Sequence, residues 1–369
     1  MKILLGFGDE RGVLGRHLKE ALGRSHTVWS CGTRRPTDST VHEIPAEIDT
    51  PLPDLVARCP EPPEAFIFID GGIPFFPADV DRTPLRRLWW FSDAHVCFEP
   101  LREWACLFHA VAVSTRPEAD AMAREHFPAT WLPYGCSDVH RADPDGPRDY
   151  DLAFVGTLRG EHPDHAPRAR LLERLARRYR TRFLYGAFDQ DLTGVNASAR
   201  MVFNRSIRGG LNMRVFEALA SGSLLLTDRV PGLEDLFEDG RHLALYDDDR
   251  IEEVIDRHLA DDALRRRVAR EGQAEVFRRH TYLHRAETLV SILSGKDLRP
   301  PPLTPFLRRA VYAKVYFNLG RDERGLKFLT SPETASNVLR FRWYRRAVRW
   351  ALAPMLFLNR IVKWMKRAR

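Results

Sequence analysis

The run RGGLNMRVFEALASGSLLLTDR, residues 208 to 229, sets two opposite charges, Arg214 and Glu217, three positions apart between a glycine pair and an Ala-Ser-Gly exit. The spacing predicts a helix over 213–221. Arg214, Glu217, Ala218 and Ser221 then share one face, and Val215, Phe216 and Leu219 the opposite one. Gly209 and Gly210 leave backbone N–H groups open to close approach, and the first turn adds the positive end of the helix dipole, which together make an anion seat. Taken alone, Arg214 and Glu217 also fit a surface ion pair worth roughly a few tenths of a kcal/mol. The wider pattern asks for more. A strand ARMVFNRS ending in Asn204, the glycine approach, the charged first turn and the small-residue exit together suit a diphosphate with an attached ribose. Amides and Arg214 would hold phosphate, and a carboxylate would accept from vicinal hydroxyls.

Other reactive residues stand at strand ends. FSDAH places Asp93 and His95 just past one strand, an acceptor-binding or general-base arrangement, and these two are the catalytic candidates. Asp70, before GGIPFF, is a further cleft-edge candidate. The turn VGTLRG offers Gly156, Thr157 and Arg159 to an anionic ligand, with Asn204, Gly210, Asn212, Arg214 and Glu217 completing the binding set. Arg168, in the Arg-rich RARLLERLARRYRTR, reads as a solvated surface charge. Asp228 and Arg229 either border the nucleotide or cap a helix before GLEDLF. His280, Tyr282, His284 and Arg285 read as packing around a late helix, since no carboxylate or cysteine geometry accompanies them, and no metal site is expected. In GFGDERGVLG the glycines miss the dinucleotide spacing G-x-G-x-x-G, and no acidic residue closes the next strand. They are expected to bring an acceptor or a facing lobe close.

These residues need a scaffold of strands and helices in alternation. MKILLGFG, a glycine turn, LGRHLKEALG and HTVWSCG read as a βαβ opening, followed by strands in EAFIFIDGG, RRLWWFSDAH and LFHAVAVST and a helix in RPEADAMAREHF. After the Pro-, Asp- and Gly-rich WLPYGCSDVHRADPDGPRD, a second cycle begins with YDLAFVGT, a helix in HAPRARLLERLARRY, and strands in TRFLYGAF, SARMVFNRS and GSLLLTD. A long helical stretch from residue 249 to 293 follows, and SGKDLRPPPLTP breaks it. A chain of 369 residues is long for one core, and the pattern divides into 1–138, 139–297 and a helical extension over 298–369. Parallel α/β sheets place ligands at the carboxyl ends of their strands, where the candidates lie.

Hydrophobic residues at 44% and charged residues at 29% describe a globular chain, and no apolar run of bilayer length is present. The opening is too short and too quickly glycine-rich for a signal peptide, so the expected location is cytoplasmic. Five cysteines without a CxxC pair fit neither a disulfide framework nor a zinc site. The net charge of +7 is concentrated: residues 334–369 carry ten Arg and Lys, no Asp or Glu, and Trp343, Trp350 and Trp364. This basic amphipathic segment, broken at Pro354, suits an anionic surface such as the inner face of a membrane, or equally a helix laid over the body with its Trp inward. No nucleic-acid-binding signature accompanies it, and no nucleic-acid partner is expected.

The run FNRSIRGGLNMRVFEALASGSLLLTDRVPGLEDLFEDGRHLALYDDD, followed by HTYLHRAETLV, resembles the donor-binding lobe of CgeB-like, group-1-type glycosyltransferases over roughly residues 150–295. WWFSDAH and WLPYGCSDVH resemble the facing lobe and hinge more weakly. The resemblance implies the GT-B fold, in which two Rossmann-like α/β lobes with parallel sheets face one another across a cleft. It implies transfer of a sugar, hexosyltransferase-like and with retention of configuration, from a nucleotide-sugar to a polysaccharide, glycolipid or protein acceptor, metal-independent and without a cofactor beyond the donor itself. Glu217 matches the helix carboxylate that contacts the nucleotide ribose. Retaining relatives carry a second glutamate eight positions earlier, where this chain has Gly209. That departure leaves open a protein that binds nucleotide-sugar or glycan without turnover, and an epimerase or hydrolase on the same fold stands beside it.

Overall fold

The computed structural model describes residues 1–10, 13–34, 41–71, 73–156, 165–185, 189–295, 298–299, 303–321, 323, 325 and 328. The chain forms two compact units, Met1–Pro301 and Pro302–Arg369. Thr157 and Arg159 of the VGTLRG turn, and the basic segment 334–369, lie outside the described residues.

The first unit holds two wholly parallel sheets. One contains β1 (Lys2–Gly6), β2 (Thr27–Gly32), β3 (Ile44–Pro45), β4 (Ala65–Ile69), β5 (Arg86–Phe91), β6 (Ala110–Val113) and β7 (Ala129–Trp131), in the order 3-2-1-4-5-6-7. The other contains β8 (Tyr150–Gly156), β9 (Thr181–Tyr185), β10 (Ala199–Asn204), β11 (Leu224–Thr227) and β12 (Ala244–Leu245), in the order 12-11-10-8-9. Strands buried on both faces must be apolar throughout, and AFIFI of β4 is buried at all five positions. Each order reverses once, between β1 and β4 and between β8 and β10. A ligand crevice opens outside the carboxyl ends at such a reversal.

Helices α1 (Leu14–Gly23), α2 (Leu52–Ala57), α3 (Ala94–Leu101) and α4 (Arg116–Arg124) accompany the first sheet. With the second come α5 (Ala166–Ala176), α6 (Asp189–Ala197), α7 (Met213–Ala220), α8 (Ile251–Ala260) and α9 (Asp262–Arg279). The next helix, α10 (Tyr282–Leu293), follows the second sheet in sequence yet packs on α1, β5 and β6 of the first. Its entry is pinned by main-chain bonds: the N–H of Cys136 donates to the carbonyl of His280, and that of Tyr282 to the carbonyl of Cys136, each at 2.9 Å. One continuous apolar core therefore includes Ile67 and Trp90 of the first sheet, Val155 and Phe216 of the second lobe, and Tyr282 and Leu289 of α10.

Gly8, just after β1, serves the first lobe itself and not a facing one. A Cβ on Gly8 would lie 1.7 Å from the Ile73 carbonyl oxygen, so no side chain fits where this turn crosses the loop after β4. The five cysteines are free. In the second unit, Thr304 caps α11 (Pro305–Asn318) by accepting from the Leu307 N–H at 3.2 Å, and Tyr312 and Tyr316 stack on Phe328. No helix among the described residues is long and apolar enough to cross a membrane.

Candidate active site

At the reversal of the second sheet, β8 and β10 end side by side and α7 starts from the loop after β10. Arg214 lies across this crevice. Its Nε donates to the Val155 carbonyl at 2.5 Å and its Nη1 to Asn204 Oδ1 at 2.9 Å, and its guanidinium sits 5.1 Å from the Phe154 ring centre. Gly156 is required beneath it, because a Cβ there would meet Arg214 Nη2 at 2.6 Å. Asn204, 1% exposed, is fixed from three sides: its Nδ2 donates to Thr227 Oγ1, and its Oδ1 also accepts from Asn212 Nδ2 at 3.2 Å. Four of the residues expected to bind the donor, Gly156, Asn204, Asn212 and Arg214, thus form one network.

Arg168 departs from its expected place. It is 3% exposed on α5, its guanidinium 5.4 Å from the centre of the same Phe154 ring, and burial together with neighbouring Arg214 lowers its pKa to about 10. The crowding of arginines along RARLLERLARRYRTR suggests a solvated charge; the apolar stripe of Leu171, Leu172 and Leu175 on α5 turns this one inward. Two guanidiniums therefore flank the end of β8. Asp228 does not cap a helix: it accepts from the Ser206 N–H at 2.9 Å and from its hydroxyl, bracing the loop between β10 and α7. Arg229 pairs with Glu234 on the surface.

Glu217 is not half of a surface ion pair. It is 8% exposed, one turn along α7, and its nearest cation-capable partner is His140, with Nε2 and Oε1 4.0 Å apart. Burial pushes its pKa up to about 7, Arg214 opposing and Asp189 adding to the rise. Around it stand His17 from α1, His140 from the turn joining the lobes, Asp189 and Tyr282. The ligating atoms of His17, His140 and Asp189 lie within 4.8 Å of one another, a grouping compatible in number with a metal ion. The tautomer argues against one. His140 Nδ1 accepts from the Ser137 N–H at 3.1 Å, so the neutral ring carries its proton on the inward Nε2, a donor and not a ligand.

The first sheet supplies the opposing wall. Asp70, expected as a cleft-edge group, works as a brace. Its carboxylate accepts from the Ser92 N–H at 2.7 Å, from Trp89 Nε1 at 3.2 Å and from the Asp93 N–H at 3.4 Å. Burial and the Asp93 charge push it up to about 7, against the bond from Ser92. Tyr134 and Ser114 hold the Ser92 carbonyl from the other side. The turn so fixed starts α3, and on it His95 reaches the second lobe: a Cβ on Gly210 would lie 2.5 Å from His95 Cγ. Gly210 is thus a contact point between lobes, and its N–H is already given to the Ile207 carbonyl at 3.0 Å, which removes it from the expected anion seat. Burial lowers the His95 pKa, with Asp93 opposing, and His95 Nδ1 is buried without a hydrogen-bond partner. Asp93 therefore acts on His95 through its field and not through a hydrogen bond.

Within HTYLHR, His284 and Arg285 pack as their sequence suggested, while Tyr282 stands beside Glu217. His284 closes a capping box with Thr281, and Arg285 donates to the carbonyls of Pro133 and Tyr134. Three contributors escaped the sequence reading: His17, His140 and Asp189. His140 had a signal, since Ser137 three residues before it forms a cap; His17 and Asp189 had none.

Two facing parallel sheets, each with its crevice at the carboxyl ends, make this the GT-B fold. Residues 160–291 match the family described as Glycosyl transferase-like, Glyco_trans_1_2, and form a domain of it. Among solved structures, Anabaena Alr3699/HepE in complex with UDP-glucose aligns with TM-score 0.55 at 14% identity, covering 80% of this chain and 99% of its own. WaaG, a glycosyltransferase involved in lipopolysaccharide biosynthesis, gives 0.54 at 12% identity, covering 80% and 100%. Sucrose-phosphate synthase from Thermosynechococcus elongatus gives 0.52 at 15% identity, covering 78% and 98%. No curated protein matches the sequence.

Proposed function

We propose that the chain transfers a sugar from a nucleoside-diphosphate sugar, a UDP-sugar first among the candidates, to a polysaccharide, glycolipid or protein acceptor without a metal. The observation that carries this is the crevice between β8 and β10, where Arg214 and Arg168 flank one ring and Glu217 lies behind them. Guanidiniums in a half-buried site stabilise a departing diphosphate far better than they would in water, which is the main demand of glycosyl transfer. Glu217 accepts from the ribose. The HepE complex with UDP-glucose supports the choice of donor through its shared fold.

His95, neutral and facing the crevice from the other lobe, would receive the acceptor proton, with Asp93 beside it stabilising the imidazolium. Whether the product retains or inverts configuration bears on Gly209. This glycine has φ 69°, and no atom lies within 4 Å of the place a Cβ would take, so the space of the usual glutamate is open. That observation favours a second reading, binding without turnover. The decisive experiment follows UDP release from UDP-glucose with and without glycan acceptors. Acceptor-stimulated release that falls at least about 100-fold in His95→Ala supports transfer; donor binding with no release under any acceptor supports the second reading.

The basic segment 334–369 would hold the enzyme at an anionic membrane surface, where lipid-linked acceptors lie. Association with anionic vesicles that falls steeply with salt supports this, and equal partitioning of the full chain and residues 1–330 contradicts it.

A further inference from the structure

Behind the donor crevice is a group of polar atoms that the fold leaves unsatisfied. His17 Nε2 and the Tyr282 hydroxyl are buried without hydrogen-bond partners, in residues 7% and 2% exposed, and His17 stands 3.6 Å from Asp189 without bonding to it. Native proteins rarely leave such atoms unpaired, and where they do a ligand or water usually completes them. His140 Nε2 points at Glu217 across 4.0 Å. That is too long for a direct bond. It is the span of one bridging oxygen: two hydrogen bonds of about 2.8 Å that meet at about 90° cover 4.0 Å. The bridging atom must accept from the Nε2–H of His140 and donate to the Glu217 carboxylate, which a hydroxyl does and a carbonyl or phosphate oxygen does not.

We propose that His140, on the turn between the lobes, is a second ribose contact, its Nε2–H and the Glu217 carboxylate holding one ribose hydroxyl between them and so selecting ribonucleotide over deoxyribonucleotide donors. The inference rests on the donor site described above and assigns to it a residue from outside the donor lobe. His140 is prepared for the task by its own surroundings. The Ser137 N–H fixes the ring and its tautomer, and the His17 ring meets it edge-on at 5.3 Å. An analogue lacking the bridging hydroxyl would leave a buried donor and a buried carboxylate facing each other with nothing between, and such unmade bonds are where discrimination arises.

The test is calorimetric titration of the full chain with UDP, 2′-deoxy-UDP and 3′-deoxy-UDP, in wild type, His140→Asn, His140→Gln and Glu217→Gln. Asparagine can keep the bond to Ser137 and lacks the reach of Nε2; glutamine places an amide N–H where Nε2 was. Wild type is expected to prefer UDP over one of the two deoxy analogues by about 10- to 150-fold. In His140→Asn that ratio should fall to within about threefold of unity, and His140→Gln should restore most of it. An unchanged ratio in His140→Asn, or equal weakening of all three ligands, overturns the inference and leaves a structural water or a packing role. If UDP fails to bind wild type, the donor-site reading falls with it. If UDP binds with Glu217-dependent affinity while the His140 ratio is unmoved, this inference alone falls.

Discussion

Replacing Arg214 by methionine separates what this residue does for the fold from what it does for a ligand. Its Nε and Nη1 bonds, at 2.5 and 2.9 Å, serve the carbonyl of Val155 and Oδ1 of Asn204, both in residues no more than 2% exposed. Asn204 Oδ1 keeps its bond from Asn212 in the variant, so the cost falls chiefly on Val155. A buried acceptor left unmade costs about 1–3 kcal/mol. That corresponds to a fall in Tm of about 1–4 °C for a chain of this size. Donor affinity should fall further. The guanidinium is expected to make a charged hydrogen bond to phosphate, worth about 1.5–3 kcal/mol, or roughly 10- to 150-fold in Kd. Arg214→Lys retains the charge without the planar fork and should fall between wild type and Arg214→Met. Scanning calorimetry reads the first effect and titration with UDP the second. A folded Arg214→Met protein that binds UDP within about twofold of wild type would refute the assignment of this crevice to the diphosphate.

Gly210→Ala drives a methyl group into the His95 ring, 2.5 Å from Cγ at the undisturbed position. It should cost about 1–3 kcal/mol of stability and lower the transfer rate while leaving UDP affinity nearly unchanged, as a KM-against-kcat comparison would show. Acid should destabilise the protein partly through His280, which burial and Arg285 depress to about 3. Because the folded pKa lies below the unfolded value near 6.5, this contribution is intact above about pH 6.5 and lost as pH falls toward 3, by up to about 1.4 kcal/mol per unit. Urea midpoints between pH 7 and 4.5 should fall less steeply for His280→Gln; identical slopes would contradict the assignment.

Much of the scaffold was legible because buried parallel strands leave little freedom of composition. AFIFI, RRLWWF and LLLT each read as a core strand and each is one. Two helices were not legible. The α6 segment DQDLTGVNA has a glycine inside and no apolar stripe, and α3 contains Pro100 and a non-helical Cys97. At the site, the local motif on α7 was readable, since Gly156, Asn204, Asn212 and Arg214 meet at one sheet reversal. What depends on long-range burial was not. Arg168 looked like a surface charge because sequence shows charge and spacing, while only the packed lobes show that α5 turns its first arginine inward and that Glu217, already read as a binding residue, is buried facing the hinge. The Gly210 contact with His95 joins residues 115 positions apart, and no local signal predicts it. Asp70 was read as a cleft-edge group, and its role as a brace for Ser92 and Asp93 follows from hydrogen bonds that spacing cannot reveal.

Glu217 and its neighbours are assigned the nucleotide of a sugar donor. The most direct measurement is thermal stabilisation of wild type and Glu217→Ala by UDP-, GDP-, ADP- and dTDP-sugars, because a ligand that binds the folded state raises its apparent stability by mass action. A shift produced by one ribonucleotide class in wild type, and requiring about 10- to 150-fold more ligand in Glu217→Ala, is the predicted result. No shift of wild type by any donor, or equal shifts of both proteins, would contradict it.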